Sequence, residues 1–240
     1  MLRAIVTIVK FALAIAAALA GFNLQALTVI ATFNGELTSE SITRDVGDGA
    51  GPVVTTTGMF SFTRTGGTLV GSPTGTFDAF CTEPREFVTT GDTYTYDFSD
   101  LSTGATNIGG MGVAKATLID ELFGRYYPVI GAPIDAEHAS ALQIAIWEIV
   151  RENSGTLDVY HGDVVFSNPQ DPDALNLAQS YLESLDGTGP HLTNLYALTA
   201  DGVQDVIVQI PEPVEAFATG LALIALSLIA RARRRQRPSR

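Results

Sequence analysis

The chain has 240 residues, 46% hydrophobic and 17% charged, with 23 Gly and 11 Pro; this is too apolar for a disordered chain and too aperiodic for collagen or a coiled coil. One cysteine excludes an intramolecular disulfide and a Cys-rich zinc cluster. Net charge is −12, but residues 27–210 hold 6 Lys and Arg against 24 Asp and Glu, a balance of −18, and so acidic a middle does not suit phosphate binding.

In chain order, residues 1–26 read as a signal peptide. Arg3 and Lys10 make a positive n-region, Phe11–Ala20 a short apolar run, and Ala26 a small residue at a possible cleavage site. The run is short for a membrane span, which favours removal over an uncleaved anchor. In 27–210, Leu27–Phe33 and Gly58–Thr65 read as strands, with turns at Gly47–Pro52 and Gly66-Gly67. Phe77–Phe80 is a strand leading into Cys81. Glu86–Thr90 and Asp92–Phe98 read as a pair joined at Thr90-Gly91, with Thr93, Thr95 and Asp97 alternating against Tyr94, Tyr96 and Phe98.

The period then changes. Gly112–Tyr127 carries Val113, Ala116, Leu118, Ile119, Leu122 and Phe123 at helical spacing. Asp135 is an N-cap for a second helix with Ala139, Leu142, Ala145, Ile146, Ile149 and Val150 as its apolar face. Asp173–Leu185 is a third helix, with Gly187 as its cap. Val203–Ile210 returns to strand. The expected class is α+β, a β-sandwich or barrel-like domain with a packed helical insertion, flanked by an N-terminal signal helix and a C-terminal membrane helix.

Residues 211–240 form the last unit. Pro211-Glu212-Pro213 is followed, after Val214-Glu215, by an apolar stretch of 15 residues, Ala216–Ala230, then by Arg231, Arg233, Arg234, Arg235 and Arg237. As a helix the apolar run covers about 22 Å, against a bilayer core of about 30 Å. Extension through Val214 and snorkelling arginine stems close part of that gap. The basic cluster stays cytoplasmic under the positive-inside rule, which exports the acidic body. This tripartite end resembles a PEP-CTERM sorting signal. The resemblance implies a Gram-negative bacterium, an exosortase-type processing enzyme as partner, and a place in the cell envelope, surface or biofilm matrix. A plain membrane anchor predicts the same topology without processing.

Cys81, read alone, fits a buried core thiol, an intermolecular disulfide, a metal ligand or a nucleophile. His138, His161 and His191 are scattered and give no Cys/His metal spacing. Asp158, Asp163, Asp171 and Asp173 with Asn168 make an oxygen-rich stretch without EF-hand spacing, read as a solvated acidic loop. Asp186–Gly189 faintly suggests an aspartic-protease loop, with no partner copy. No nucleophile elbow, phosphate loop or dinucleotide fingerprint occurs, so neither a conventional enzyme nor a cofactor is expected.

Two short motifs carry the chemistry. Phe80-Cys81-Thr82-Glu83 follows a strand, and 62 positions after Cys81 stands Gln143, within Leu142-Gln143-Ile144-Ala145-Ile146-Trp147. The pair resembles the bacterial surface thioester domains, in which a Cys after an aromatic residue joins the Gln of a Gln-x-Ala-Ile-Trp helix. Gln143, Ala145, Ile146, Trp147 and the acidic Glu83 match that pattern; Leu142 stands where Thr is common. The resemblance implies that the Cys81 thiolate attacks the Gln143 carboxamide, expels ammonia and leaves an internal thioester, with Trp147 as shield. A nucleophile on a target then takes the Gln143 acyl group in a single turnover, so the protein is an adhesin or cross-linker rather than a classical enzyme. His138 is placed on the exposed first turn of the helix, without a role. Two other readings stand beside this one. One is a passive matrix protein with a buried free thiol. The other is a carbohydrate-binding β-sandwich using Tyr94, Tyr96, Tyr126 and Tyr127 as a platform.

Overall fold

A computed structural model describes residues 26–128 and 133–210. The signal segment before Ala26 and the whole sorting tail, including Pro211, Glu212, Pro213, Arg231, Arg233, Arg234 and Arg235, lie outside the described residues. Among the described residues no helix is long and apolar enough to cross a membrane.

Among the described residues the fold is α+β: a seven-stranded antiparallel sheet with three α-helices. Its strands are β1 (Thr28–Asp45), β2 (Val53–Gly66), β3 (Thr76–Cys81), β4 (Thr93–Asp100), β5 (Val165–Ser167), β6 (Leu195–Ala200) and β7 (Val203–Gln209). The order is β2-β3-β7-β6-β4-β1-β5, and β1 also pairs with β2. Hydrogen bonding therefore runs in a closed circuit through every strand but β5, although β3 meets β2 only over Thr76–Ala79 and β7 only at Phe80 and Cys81. The 18-residue β1 makes this possible. Its start pairs with β4 through Thr28–Thr32, nearly its whole length with β2, and its end with β5 through Thr43–Asp45. Register shifts at Phe33/Gly35 and Glu36/Thr38 bend it, with Gly35 at φ +124°.

Period-2 alternation divides the core into two clusters. Val29, Ala31, Phe33, Phe62, Ala79, Tyr96, Leu198, Val206 and Val208 pack inside the circuit. Phe62 is the hub: its ring stacks on Phe77 at 5.6 Å and meets Tyr96 edge-on at 6.1 Å. Ile42, Met59, Phe80 and Cys81 belong to the second cluster, beneath helices α1 (Gly112–Tyr126), α2 (Ala136–Arg151) and α3 (Pro172–Glu183).

Helix α2 is the centre of the molecule. It lies against β1, β2 and β3 on one side and α1 and α3 on the other, so every residue from Ala139 to Val150 is buried. A helix covered on all sides needs no polar face; the one-sided apolar stripe read from the sequence was only part of its contact surface. The Asp135 carboxylate accepts the His138 N–H at 2.9 Å and caps the helix. Asp135→Ala is expected to cost about 1 kcal/mol of stability, read from urea midpoints.

Four readings differ from the structure. Glu86–Thr90 is irregular rather than a strand, and β4 pairs with β1 and β6 instead. The second half of β1, together with β5 and β6, extends the sheet beyond the sequence reading. Helix α3 ends at Glu183 with Ser184 as its C-cap. Gly187 lies farther on and donates its N–H to Glu121 at 2.9 Å. Buried Glu121 also accepts from Gly189 N–H and from Arg125, which pins the Asp186–Gly189 loop to α1 as a structural device.

Candidate functional site

Cys81 ends β3, and Gln143 projects from the middle of α2. The structure brings them together. Cys81 is 2% exposed and Gln143 1%. The Cys81 N–H donates to Gln143 Oε1 at 2.8 Å, and Gln143 Nε2 donates to the Cys81 carbonyl at 2.9 Å. One carboxamide thus satisfies both backbone groups of the cysteine.

The local sequence explains the arrangement. On one side, Cys81 pairs with Val206 of β7, and Thr82 N–H donates to the Asp205 carbonyl at 3.0 Å. On the other side, β2 pairs with β3 only as far as Ala79, while beyond Phe60 it keeps only its pairing with β1, as at Gly58 and Ser39. The outward N–H and C=O of Cys81 lose their strand partner there. A glutamine side chain carries one donor and one acceptor in a planar amide, so Gln143 stands in for the missing peptide group. Ser140, one turn earlier on α2, donates its hydroxyl to the Thr57 carbonyl at 2.8 Å and fixes the helix against β2.

Trp147, one turn after Gln143 on the same face, is 3% exposed and stacks nearly parallel on Phe166 at 6.4 Å. Trp147 and Cys81 line a cleft of about 100 Å³, walled also by Phe33, Phe60, Glu86 and Gln204. The Trp147 Nε1–H is buried there without a hydrogen-bond partner.

Electrostatically the cleft is acidic. Burial, then the carboxylates of Glu83 and Glu36, push the Cys81 thiol well above its ordinary value; its own backbone hydrogen bond and Arg44 offset only part of this. The thiol therefore holds its proton at neutral pH, and a nucleophilic role requires a base. Glu83 is fully buried, and its two oxygens accept the N–H groups of Arg85 at 2.9 Å and Glu86 at 2.8 Å. Its position two places after Cys81 thus serves the turn that closes the cleft.

Other sequence candidates resolve as structure. His138 is exposed and bonded to Asp135. Asp171 caps α3 through the Asp173 N–H, Asp163 holds Asn153, and Asp158 holds Tyr160 N–H. Among the described residues no group of His, Cys, Asp or Glu could hold a metal ion. The four tyrosines form no exposed platform: Tyr96 is buried, Tyr126 stacks on Tyr181 at 3.8 Å, Tyr127 packs on Phe80 and Phe123, and the Tyr94 hydroxyl accepts the Thr89 N–H at 2.8 Å.

Two site residues escaped the sequence reading. Gln204, 3% exposed, donates to the carbonyls of Glu83 and Asp205 at 2.8 and 3.1 Å. Asp205, fully buried, accepts from Thr106 and Ala200. Their signal is two adjacent polar residues between Val203 and the apolar run Val206–Val208 of β7. Compared with family models, curated proteins and solved structures, the chain matches none.

Proposed function

We propose that this is an exported surface or matrix protein that captures a nucleophile covalently through a Cys81–Gln143 thioester. The observation that carries the reading is the buried pairing of the Gln143 carboxamide with the Cys81 backbone. It holds the electrophile beside the residue that bears the nucleophile, which is the entropic part of the chemistry. The Cys81 N–H on Oε1 also withdraws density from the carbonyl and would stabilise the oxyanion that forms on attack. The thiol hydrogen and the amide nitrogen leave together as ammonia, and an S–C bond replaces the C–N bond. Packing by Trp147 keeps water from the product. The domain fits a barrel-like body carrying a helical insertion. The N-terminal signal and the PEP-CTERM-like tail supply export, membrane retention and an exosortase-type partner; the target is a nucleophile on a surface or matrix molecule.

The satisfied carboxamide favours a second reading, a passive matrix protein in which Gln143 only replaces a strand partner. Intact mass decides. The wild type is expected to be one ammonia lighter than its sequence, while Cys81→Ala and Gln143→Ala have full mass, and peptide mapping is expected to join the two residues. A wild type of full mass with Gln143 still an amide would leave the passive reading.

A further inference from the structure

We propose that Glu86 is the proton acceptor for the Cys81 thiol when the thioester forms. The inference rests on the covalent reading above and assigns a step that reading leaves open: a neutral buried thiol needs a base.

Glu83 and Glu36 raise the thiol, Glu86 lines the same cleft, and the occupancy of their oxygens separates the three. Both oxygens of Glu83 are taken by backbone N–H groups. Glu36 accepts the Ser39 hydroxyl at 2.6 Å on one oxygen and the Thr56 hydroxyl on the other. Glu86 lines the same cleft as Cys81 and Trp147, and its Oε2 is shielded from solvent with no donor at all. Its backbone is fixed by the N–H bond to Glu83 Oε1. A buried carboxylate oxygen without a donor is costly, and an incoming proton relieves that cost.

The surrounding charges act in the same direction. Burial, then Glu83, Asp205 and Asp201, raise the Glu86 carboxyl to about 7. Glu36 faces the cleft from β1, Arg44 lies beside Cys81, and Arg85 is paired with Asp48. A base poised near neutrality suits proton transfer at neutral pH. In the step, the Sγ–H proton passes to Glu86 as the S–C bond forms. The tetrahedral centre then collapses, the C–N bond breaks, and the same proton goes to the departing nitrogen, which leaves as ammonia. Glu86 ends as it began.

The test uses the full chain in detergent. Excess ammonia at alkaline pH reverses the step and restores the Cys81 thiol and Gln143 amide. Ammonia is removed at pH 5, the pH is jumped, and loss of one ammonia is followed by intact mass. In the wild type the rate is expected to rise to a plateau with a midpoint near 7. Glu86→Gln is expected to be slower by about a hundredfold at pH 7.5, with a rate that keeps climbing into alkali as the thiol ionises directly. Glu86→Asp keeps a carboxylate and is expected to keep the plateau at a lower rate. An unchanged rate and profile in Glu86→Gln overturns the proposal. So does loss of the plateau in Glu36→Gln instead, or a Glu86→Asp chain as slow as Glu86→Gln. A wild type that never loses ammonia overturns the thioester reading itself, and the proposal with it.

Discussion

Glu148→Gln is expected to stabilise the protein by about 2 kcal/mol at pH 8 and to change it little at pH 5. Glu148 lies on α2, five residues after Gln143, and is fully buried. One oxygen accepts the Asp158 N–H at 2.8 Å; the other has no partner. Burial raises the carboxyl from 4.5 to about 7; the Asp158 N–H opposes this, and the carboxylates of Glu152, Asp158 and Asp163 add to it. The folded state therefore keeps a proton that the unfolded chain releases near its ordinary value. Between about 4.5 and 7 the folded state binds more protons, so stability falls as pH rises and is lowest above 7. At about 1.36 kcal/mol per pH unit the loss reaches about 3 kcal/mol. Gln removes the titration but buries an N–H₂ group, which returns about 1 kcal/mol. Urea unfolding at the two pH values reads the difference. Equal stability of variant and wild type at pH 8 would mean that the Glu148 carboxylate is ionised and paired. Glu121 has the opposite sign: burial alone would raise it, but Arg125 and the backbone N–H groups of the 186–189 segment outweigh burial and hold it low, so its contribution is lost as pH falls.

What was legible in the sequence follows from how locally each feature is encoded. The Asp135 cap and the helical spacing after it place α2 almost to the residue, because cap and period lie within one segment. The alternation of Tyr94, Tyr96 and Phe98 against Thr93, Thr95 and Asp97 gives β4 its two faces. Its partners are another matter. They are β1 and β6, set by closure of the sheet, while Glu86–Thr90, the hairpin mate that spacing alone predicts, is irregular and borders the cleft. The second half of β1 is hidden because Asn34–Arg44 is almost wholly polar; its Asn34 amide and Glu36 carboxylate bond across to the Thr63 and Thr56 hydroxyls of β2. In the site, Cys81, Gln143 and Trp147 could be named from two motifs, and they do meet. What the motifs cannot encode is why the cleft is acidic or why Gln143 is satisfied. The second depends on where β2 leaves β3, and the first on Glu36 of β1 joining the motif's Glu83 beside the thiol.

Gln143→Ala and Cys81→Ala together weigh the two readings by stability alone. Gln143→Ala is expected to cost about 4 kcal/mol, because it removes two buried hydrogen bonds, leaves the Cys81 N–H and C=O without partners, and opens a cavity in the centre of α2. That figure is for the amide; if the thioester forms, the Nε2 bond has already left with the ammonia, and Gln143→Ala loses the cross-link instead. Cys81→Ala differs. If the thiol is free, the variant loses only a small buried side chain and keeps the backbone pairing with Gln143, a cost of about 1 kcal/mol. If the wild type carries the thioester, the bond closes a loop between residues 62 positions apart. By the chain-entropy account of cross-links, a loop of that length is worth about 4 kcal/mol through the unfolded state. Cys81→Ala then becomes nearly as damaging as Gln143→Ala. Gln143→Glu adds the product of failed capture, since water opening the thioester leaves a glutamate there. Protonated, it keeps both contacts with Cys81; ionised, it sets a buried carboxylate against the Cys81 carbonyl. Its folded carboxyl is therefore raised, and the variant is expected to lose stability as pH climbs through that value. If the thioester forms, the same loss is expected of hydrolysed wild type, and dry packing around Trp147 would then protect the fold as well as the acyl group. Urea midpoints for the three variants, measured at pH 5 and pH 8, read all of these terms. A Cys81→Ala cost near 1 kcal/mol at both pH values would place the protein among passive matrix components.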